Sequence, residues 1–288
     1  MQVNCSKWQN PQSIRIHKYI GRLRLKSQLF ISTIGFSFAP MRISFAFLSA
    51  LVLFVSCSTK PQTAQEIIDE TIERAGGARY ELSHIQFDFR DHSYSILRSG
   101  GLFEYTRTTY LTPDSVLRDV LENYGFKRFL NDSMISVPDS MAGKYQASVN
   151  SVAYFFSLPY GLNDIAVHKE LIGTKRIKGR DHFKIKVWFD ANGGGEDHQD
   201  EFYYWIDQDS LQVNYLAYSY QDDGGGMRFR EAVEPRYIRG IRIVDYLNYK
   251  ASDASVKLEA IDDAFEQGGL ELLSRIENDN VTISLLED

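Results

Sequence analysis

Cysteine is nearly absent from this chain, with only Cys5 and Cys57 among 288 residues. Acid is absent from its first stretch: none of the 38 Asp and Glu residues lies in residues 1–56, which hold 7 of the 32 Lys and Arg. Long hydrophobic runs are missing too. The longest, Ile43 to Val55, falls short of the roughly 20 apolar residues that span a bilayer. No Gly-x-Ser-x-Gly elbow and no His-Glu-x-x-His helix occurs, so the two most readable hydrolase signatures are missing.

What is there first is an address. Met41 and the positive Arg42 precede the apolar run, which stops at Ser56 and Cys57. Charge, short apolar core and small residue are the parts of a secretory signal. The cysteine directly after it makes Leu53-Phe54-Val55-Ser56-Cys57 resemble a bacterial lipoprotein signal, in which the cysteine is acylated. Phe54 stands where such signals usually carry Leu. The expected organisation is an untranslated upstream extension over 1–40, a lipoprotein signal peptide over 41–56, a lipidated tether over 57–64 and a single globular domain over 65–288.

That division changes the charge. Residues 57–288 carry 25 basic and 38 acidic side chains, a net of −13. Such a surface disfavours nucleic acid, because phosphate binding needs clustered Lys and Arg. With Cys5 untranslated and Cys57 acylated, the domain has no disulfide, no zinc-thiolate site and no cysteine nucleophile. It has to be stable on its core alone, and about 230 residues suffice for that.

The pattern predicts a helix over 63–74, with Ile67, Ile68, Thr71, Ile72 and Ala75 at helical spacing and Gly76-Gly77 ending it. Strands follow. Ile85, Phe87 and Phe89 alternate with Gln86, Asp88 and Arg90, and similar segments are expected over 94–98, 102–108 and 126–130. Residues 148–158 (SVNSVAYFFSL) contain no charge and predict a buried helix or lid. Asp164 is expected to cap a second short helix running to Leu171. Six further strands are expected over 175–177, 183–189, 201–207, 213–220, 227–233 and 240–249, then a helix over 255–266 and a last strand over 281–285. Without a regular β-α alternation, a doubly wound fold is disfavoured. The expectation is an α+β, β-rich fold: a strongly curved antiparallel sheet, an incomplete β-barrel with helices covering one side.

Several sequence words carry a resemblance: Phe-Asp-Phe-Arg at 87–90, Ser-Val-Asn-Ser-Val-Ala-Tyr-Phe at 148–155, Leu-Pro-Tyr-Gly-Leu-Asn-Asp at 158–164 and Arg-Phe-Arg-Glu-Ala at 228–232. With Gly-Gly-Gly-Glu-Asp-His at 193–198 and Tyr-Trp-Ile at 204–206, they make residues 64–286 resemble an envelope lipoprotein family of Bacteroidetes that is a domain of unknown function. By element order alone the chain is also similar to lipoprotein carriers of the LolA/LolB type. That likeness implies an incomplete barrel whose helices lid an apolar cavity.

Three places carry candidate chemistry. In the glycine-led segment 193–201, an extended backbone would put Glu196, His198 and Asp200 on one face, a set able to hold a divalent metal. A glycine-rich turn with solvated acids explains the same letters. Arg228 and Arg230 share a strand face that suits a carboxylate or phosphate, or ion pairs with those acids. The apolar insertion offers Tyr154, Phe155, Phe156 and Tyr160 as a greasy wall, or as ordinary core.

The reading that unites these features is a non-catalytic lipoprotein, anchored through Cys57 to the outer membrane and facing the periplasm. It would bind a lipid or other apolar envelope ligand under the lid, with Arg90, Arg228 or Arg230 orienting a head group. No cofactor is expected in that case. One alternative is a metal-dependent hydrolase or lyase centred on Glu196, His198 and Asp200; another is a structural or assembly lipoprotein.

Overall fold

The chain divides into two compact units, residues 1–60 and 61–288. The computed structural model describes residues 63–190, 200–221 and 224–286, all within the second unit.

Helix α1 (Ala64–Ala75) starts where the sequence says it should. Thr63 accepts the amide proton of Glu66 while the Glu66 carboxylate accepts that of Thr63, so two orphan donors are satisfied reciprocally. Gly76 ends the helix at φ 148°, and a Cβ there would meet the Tyr80 ring at 3.0 Å. Only glycine fits both demands. Ile67 and Ile68 are fully buried, so the predicted stripe is the packed one.

Fourteen strands form two seven-stranded antiparallel sheets. The first sheet is built from β1 (Leu82–Phe89), β2 (His92–Ser99), β3 (Leu102–Thr112), β4 (Ser115–Glu122), β5 (Gly125–Leu130) and β6 (Ser133–Ile135), with β14 (Asp279–Leu285) beside β1. The second runs from β7 (Val167–Ile177) through β8 (Arg180–Phe189), β9 (Phe202–Asp207), β10 (Val213–Tyr220), β11 (Gly226–Ile238) and β12 (Ile241–Ala251) to β13 (Leu270–Ile276). Every pairing is between antiparallel neighbours, and neither sheet closes into a barrel. The expected β-rich antiparallel architecture therefore forms, divided between two sheets.

The two sheets are buried differently. Ile85, Phe87, Tyr94, Ile96 and Ile283 make one apolar face of the first sheet, while His84, Gln86 and Ser95 on its other face line an open polar groove. The second sheet is covered on both sides. Phe183, Ile185, Val187, Tyr204 and Leu216 pack under α1, and Tyr203, Trp205, Tyr215 and Phe229 pack under the segment of α3 (Ile261–Glu266). Strand β9 is consequently buried at all six positions, which its unbroken apolar reading Phe-Tyr-Tyr-Trp-Ile foreshadows. A buried hydrogen-bond knot fastens the β13–β14 connection: Asn278 donates to Asp245 through its amide N–H and to the Val244 carbonyl through its side chain, while Arg236 donates to the Asn278 carbonyl.

Three expectations differ from the structure. The second short helix from Asp164 does not form; residues 167–177 are strand β7, paired with β8 from Val167 opposite Phe189. Val167 and Leu171 lie four apart and satisfy a helical period, but alternation fits as well, and the apolar face of β8 decides. Strands β4, β6 and β13 are additional to those expected. In β4, Val116, Leu117, Val120 and Leu121 repeat at helical spacing, and the hairpin with β3 overrides it. The uncharged insertion is longer than predicted and forms α2 (Asp139–Ser157).

Candidate functional site

Helix α2 enters the space between the sheets, and its two halves are held in different ways. The first half lies on the first sheet. Arg107 donates to Ser148 Oγ at 2.8 Å, and the Arg128 guanidinium sits 3.5 Å from the Tyr145 ring centre. Both arginines converge on one buried carboxylate, Asp119, at 2.6 Å and 2.5 Å. Each of those arginines thus has a carboxylate partner within the protein, though the two share one.

The second half is an aromatic wedge. Phe156 stacks on Phe87 of the first sheet with ring centres 3.9 Å apart. Its neighbours turn the other way: Tyr154 Oη meets Tyr204 Oη at 2.7 Å, and Phe155 packs 5.1 Å from Tyr218, both partners belonging to the second sheet. Successive helical positions differ by about 100°, so three consecutive aromatics cannot share one face. Here the mismatch is used, since one helix fills a gap lined from two sides.

Two arginines border the wedge. Arg98 is 7% exposed and donates to Tyr105 Oη at 3.2 Å and Ser157 Oγ at 3.0 Å, with its guanidinium 4.8 Å from the Tyr160 ring. Arg230 donates to Tyr218 Oη at 2.8 Å and lies 3.9 Å from the Phe155 ring. Neither has a carboxylate within ion-pair distance among the described residues, and Arg98 Nη1 and Arg230 Nε are buried without an acceptor. The tyrosines do not neutralise them. Burial pushes the Tyr160 hydroxyl up to about 12 and raises Tyr154 and Tyr204 further, so all three keep their protons.

The structure thus places Tyr154, Phe155 and Phe156 together on one helix, with Arg230 against Phe155 and Tyr160 against Tyr80 and Arg98. Arg228 shares the strand face of Arg230 but lies over Tyr220, with its guanidinium 5.0 Å from that ring, and donates to the Met227 carbonyl. Arg90 occupies the exposed β1–β2 turn at φ 54°, with its guanidinium 5.0 Å from the Phe89 ring. Asp200 is buried immediately before β9, whereas Glu196, His198 and Cys57 lie outside the described residues. Among the described residues no group of three His, Cys, Asp or Glu side chains is placed to hold a metal ion.

Arg98 and Tyr80 were missed. Tyr80 stacks on Tyr160 at 5.2 Å. A signal for Arg98 existed, because alternation along Tyr94, Ile96 and Arg98 puts a charge on an otherwise apolar face.

Residues 42–278 match the model of DUF6503, described as a family of unknown function. No curated protein matches the chain. Among solved structures, a LolA superfamily protein from Nitrosomonas europaea is similar at a TM-score of 0.44 and 11% identity, covering 79% of this chain and 95% of its own. A domain assigned to outer membrane lipoprotein sorting from Vibrio parahaemolyticus gives 0.40 and 11%, covering 77% and 92%. A DUF1329 family protein from Desulfovibrio piger gives 0.37 and 11%, covering 77% and 93%. Scores at this level carry no functional argument.

Proposed function

The chain belongs to the DUF6503 family, and we propose that its second unit binds an apolar or amphipathic envelope molecule, a lipid or acyl chain, between the two sheets. Helix α2 is the lid, drawn here in its closed position. One observation carries this reading: the wedge of Tyr154, Phe155 and Phe156 packs its aromatic rings on both sheets at once. Withdrawing the helix would open a slot walled by Phe87 and Ile96 on one side and Phe202, Tyr204 and Tyr218 on the other. An acyl chain replaces aromatic contacts at low cost, because dispersion and burial are not directional. Arg98 and Arg230 would meet the polar end of an amphiphile.

Anchoring completes the proposal. Acylation of Cys57 would hold the unit at the outer membrane, facing the periplasm. Intact mass spectrometry of the membrane-extracted protein should then give a chain beginning at Cys57 and carrying acyl mass; an unmodified chain beginning at Met41 would remove the anchor.

The binding step is tested by native mass spectrometry of the same preparation, together with displacement of a fluorescent fatty acid. A near-stoichiometric co-purified lipid is expected. Tyr154→Phe breaks the hydroxyl pair with Tyr204 yet keeps the ring, so it should loosen the lid and speed fatty-acid uptake. Absence of bound lipid, with no fatty-acid uptake by either protein, would sink the reading.

A further inference from the structure

A second charged site lies toward the other end of the strands of the second sheet. There a half-open cleft of about 410 Å³ is lined by Lys178, Arg180, Ser210, Gln212, Asn214 and Arg242, among other residues. Its lining contains three cations and no acid. That volume falls in the range of small-molecule sites. Two of the cations are accounted for, since Lys178 pairs with Glu231 at 2.6 Å and Arg180 with Asp207 at 2.8 Å.

Arg242 is not. It is 5% exposed, makes no side-chain hydrogen bond and has no carboxylate within ion-pair distance among the described residues. Its Nε is sealed off without an acceptor, and the residue lines the cleft. The titratable groups facing it are tyrosines: Tyr80, Tyr237 and Tyr246. Burial pulls its pKa below the ordinary arginine value, yet arginine does not lose its proton in proteins. A buried, unpaired guanidinium is costly, and a fold gains nothing from one whose role is only packing.

We propose that Arg242 is the floor of an oxyanion site, taking a phosphate or phosphate-ester group whose remaining oxygens face the Gln212 and Asn214 amides, each of which has a second N–H beyond its bond to Tyr237 or His182. The guanidinium fork matches that geometry, and removing it from water strengthens the contact. This site is separate from the slot under α2 and stands whether or not lipid binds there.

The test is thermal unfolding and isothermal titration of the full chain at matched ionic strength, in mild detergent for inorganic phosphate and after detergent removal for the vesicles. The probes are inorganic phosphate, then vesicles of phosphatidylglycerol or of phosphatidylcholine. Phosphate should raise the melting temperature of the native protein where potassium chloride does not. A rise with phosphatidylglycerol vesicles alone would identify the group as a lipid head group and still support the site. Arg242→Met should melt higher than the native protein without ligand and bind the oxyanion about 10- to 100-fold more weakly. Arg242→Lys, which keeps the charge and loses the fork, should fall between. A lower melting temperature for Arg242→Met would make Arg242 a structural residue and overturn the proposal. So would a native protein that responds to neither phosphate nor phosphatidylglycerol.

Discussion

Two groups of arginines in this molecule meet opposite fates. Beneath the first half of α2, Arg107 and Arg128 share the buried carboxylate of Asp119. Around the second half, and in the cleft at the far end of the second sheet, Arg98, Arg230 and Arg242 face phenols, rings and hydroxyls with no carboxylate within ion-pair distance among the described residues. The chain does not lack acids. It holds 38, and most ion pairs sit on or near the surface. Carboxylate partners were therefore open to this sequence, and it gives them to the arginines beneath the first half of α2 and to Arg236, which meets Asp245 at 3.2 Å, but not to these three. On the proposed function, the contrast separates arginines that hold the fold from arginines left for a ligand's charge.

The largest expected effect breaks the neutralised side. Asp119→Ala would strand Arg107 and Arg128 side by side under α2, and breaking a buried pair in this way costs roughly 3–5 kcal/mol. Urea unfolding measures it directly. A loss below about 1 kcal/mol, the size typical of exposed pairs, would erase the distinction drawn here.

How much of this could be read beforehand depends on where the information lives. Alternation in Ile85-Gln86-Phe87 and Phe183-Lys184-Ile185 is local, and those strands were legible. The uncharged run ending in Tyr154-Phe155-Phe156 was legible as a buried helix for the same reason. Strand β4 and the first part of β7 were not, because Val116, Leu117, Val120, Leu121 and Val167, Leu171 satisfy two periods at once and only the partner strand chooses. The unpaired arginines were still less accessible. That Arg242 lacks an acid is a statement about every other element in the fold, and no window of sequence contains it.

The next effect is smaller and tests the un-neutralised side. Arg230→Met gives up one charge-assisted hydrogen bond to Tyr218 and a cation–π contact with Phe155, and relieves a buried Nε. These terms oppose one another, each being about 1 kcal/mol. Unfolding free energy should therefore change by less than about 1 kcal/mol, while preference for fatty acid over the corresponding neutral alcohol disappears. A loss as large as that for Asp119→Ala would place Arg230 with the structural group.

A buried cationic residue has one more option that arginine lacks, which is to release its proton. His182 takes it. The ring is fully buried, with Nδ1 at 3.0 Å from the Arg180 carbonyl and Nε2 at 3.2 Å from the Asn214 amide nitrogen. Burial lowers its pKa below the ordinary histidine value, with the Arg180 charge adding to the shift and Asp207 opposing it. The unfolded chain then binds a proton more readily than the folded one in the window below about pH 6.5. Stability should fall as pH drops through that window and should level off below the folded-state pKa. Nothing changes at pH 7, where His182 is neutral in both states, so this is the smallest effect under ordinary conditions. His182→Gln should flatten the pH profile between about 6.5 and 5 relative to the native chain. An unaltered slope would mean that His182 titrates alike in the folded and unfolded chains, and a steeper one that it keeps its proton in the fold with Asp207, 4.0 Å away, as its counter-charge, beside Arg107 and Arg128.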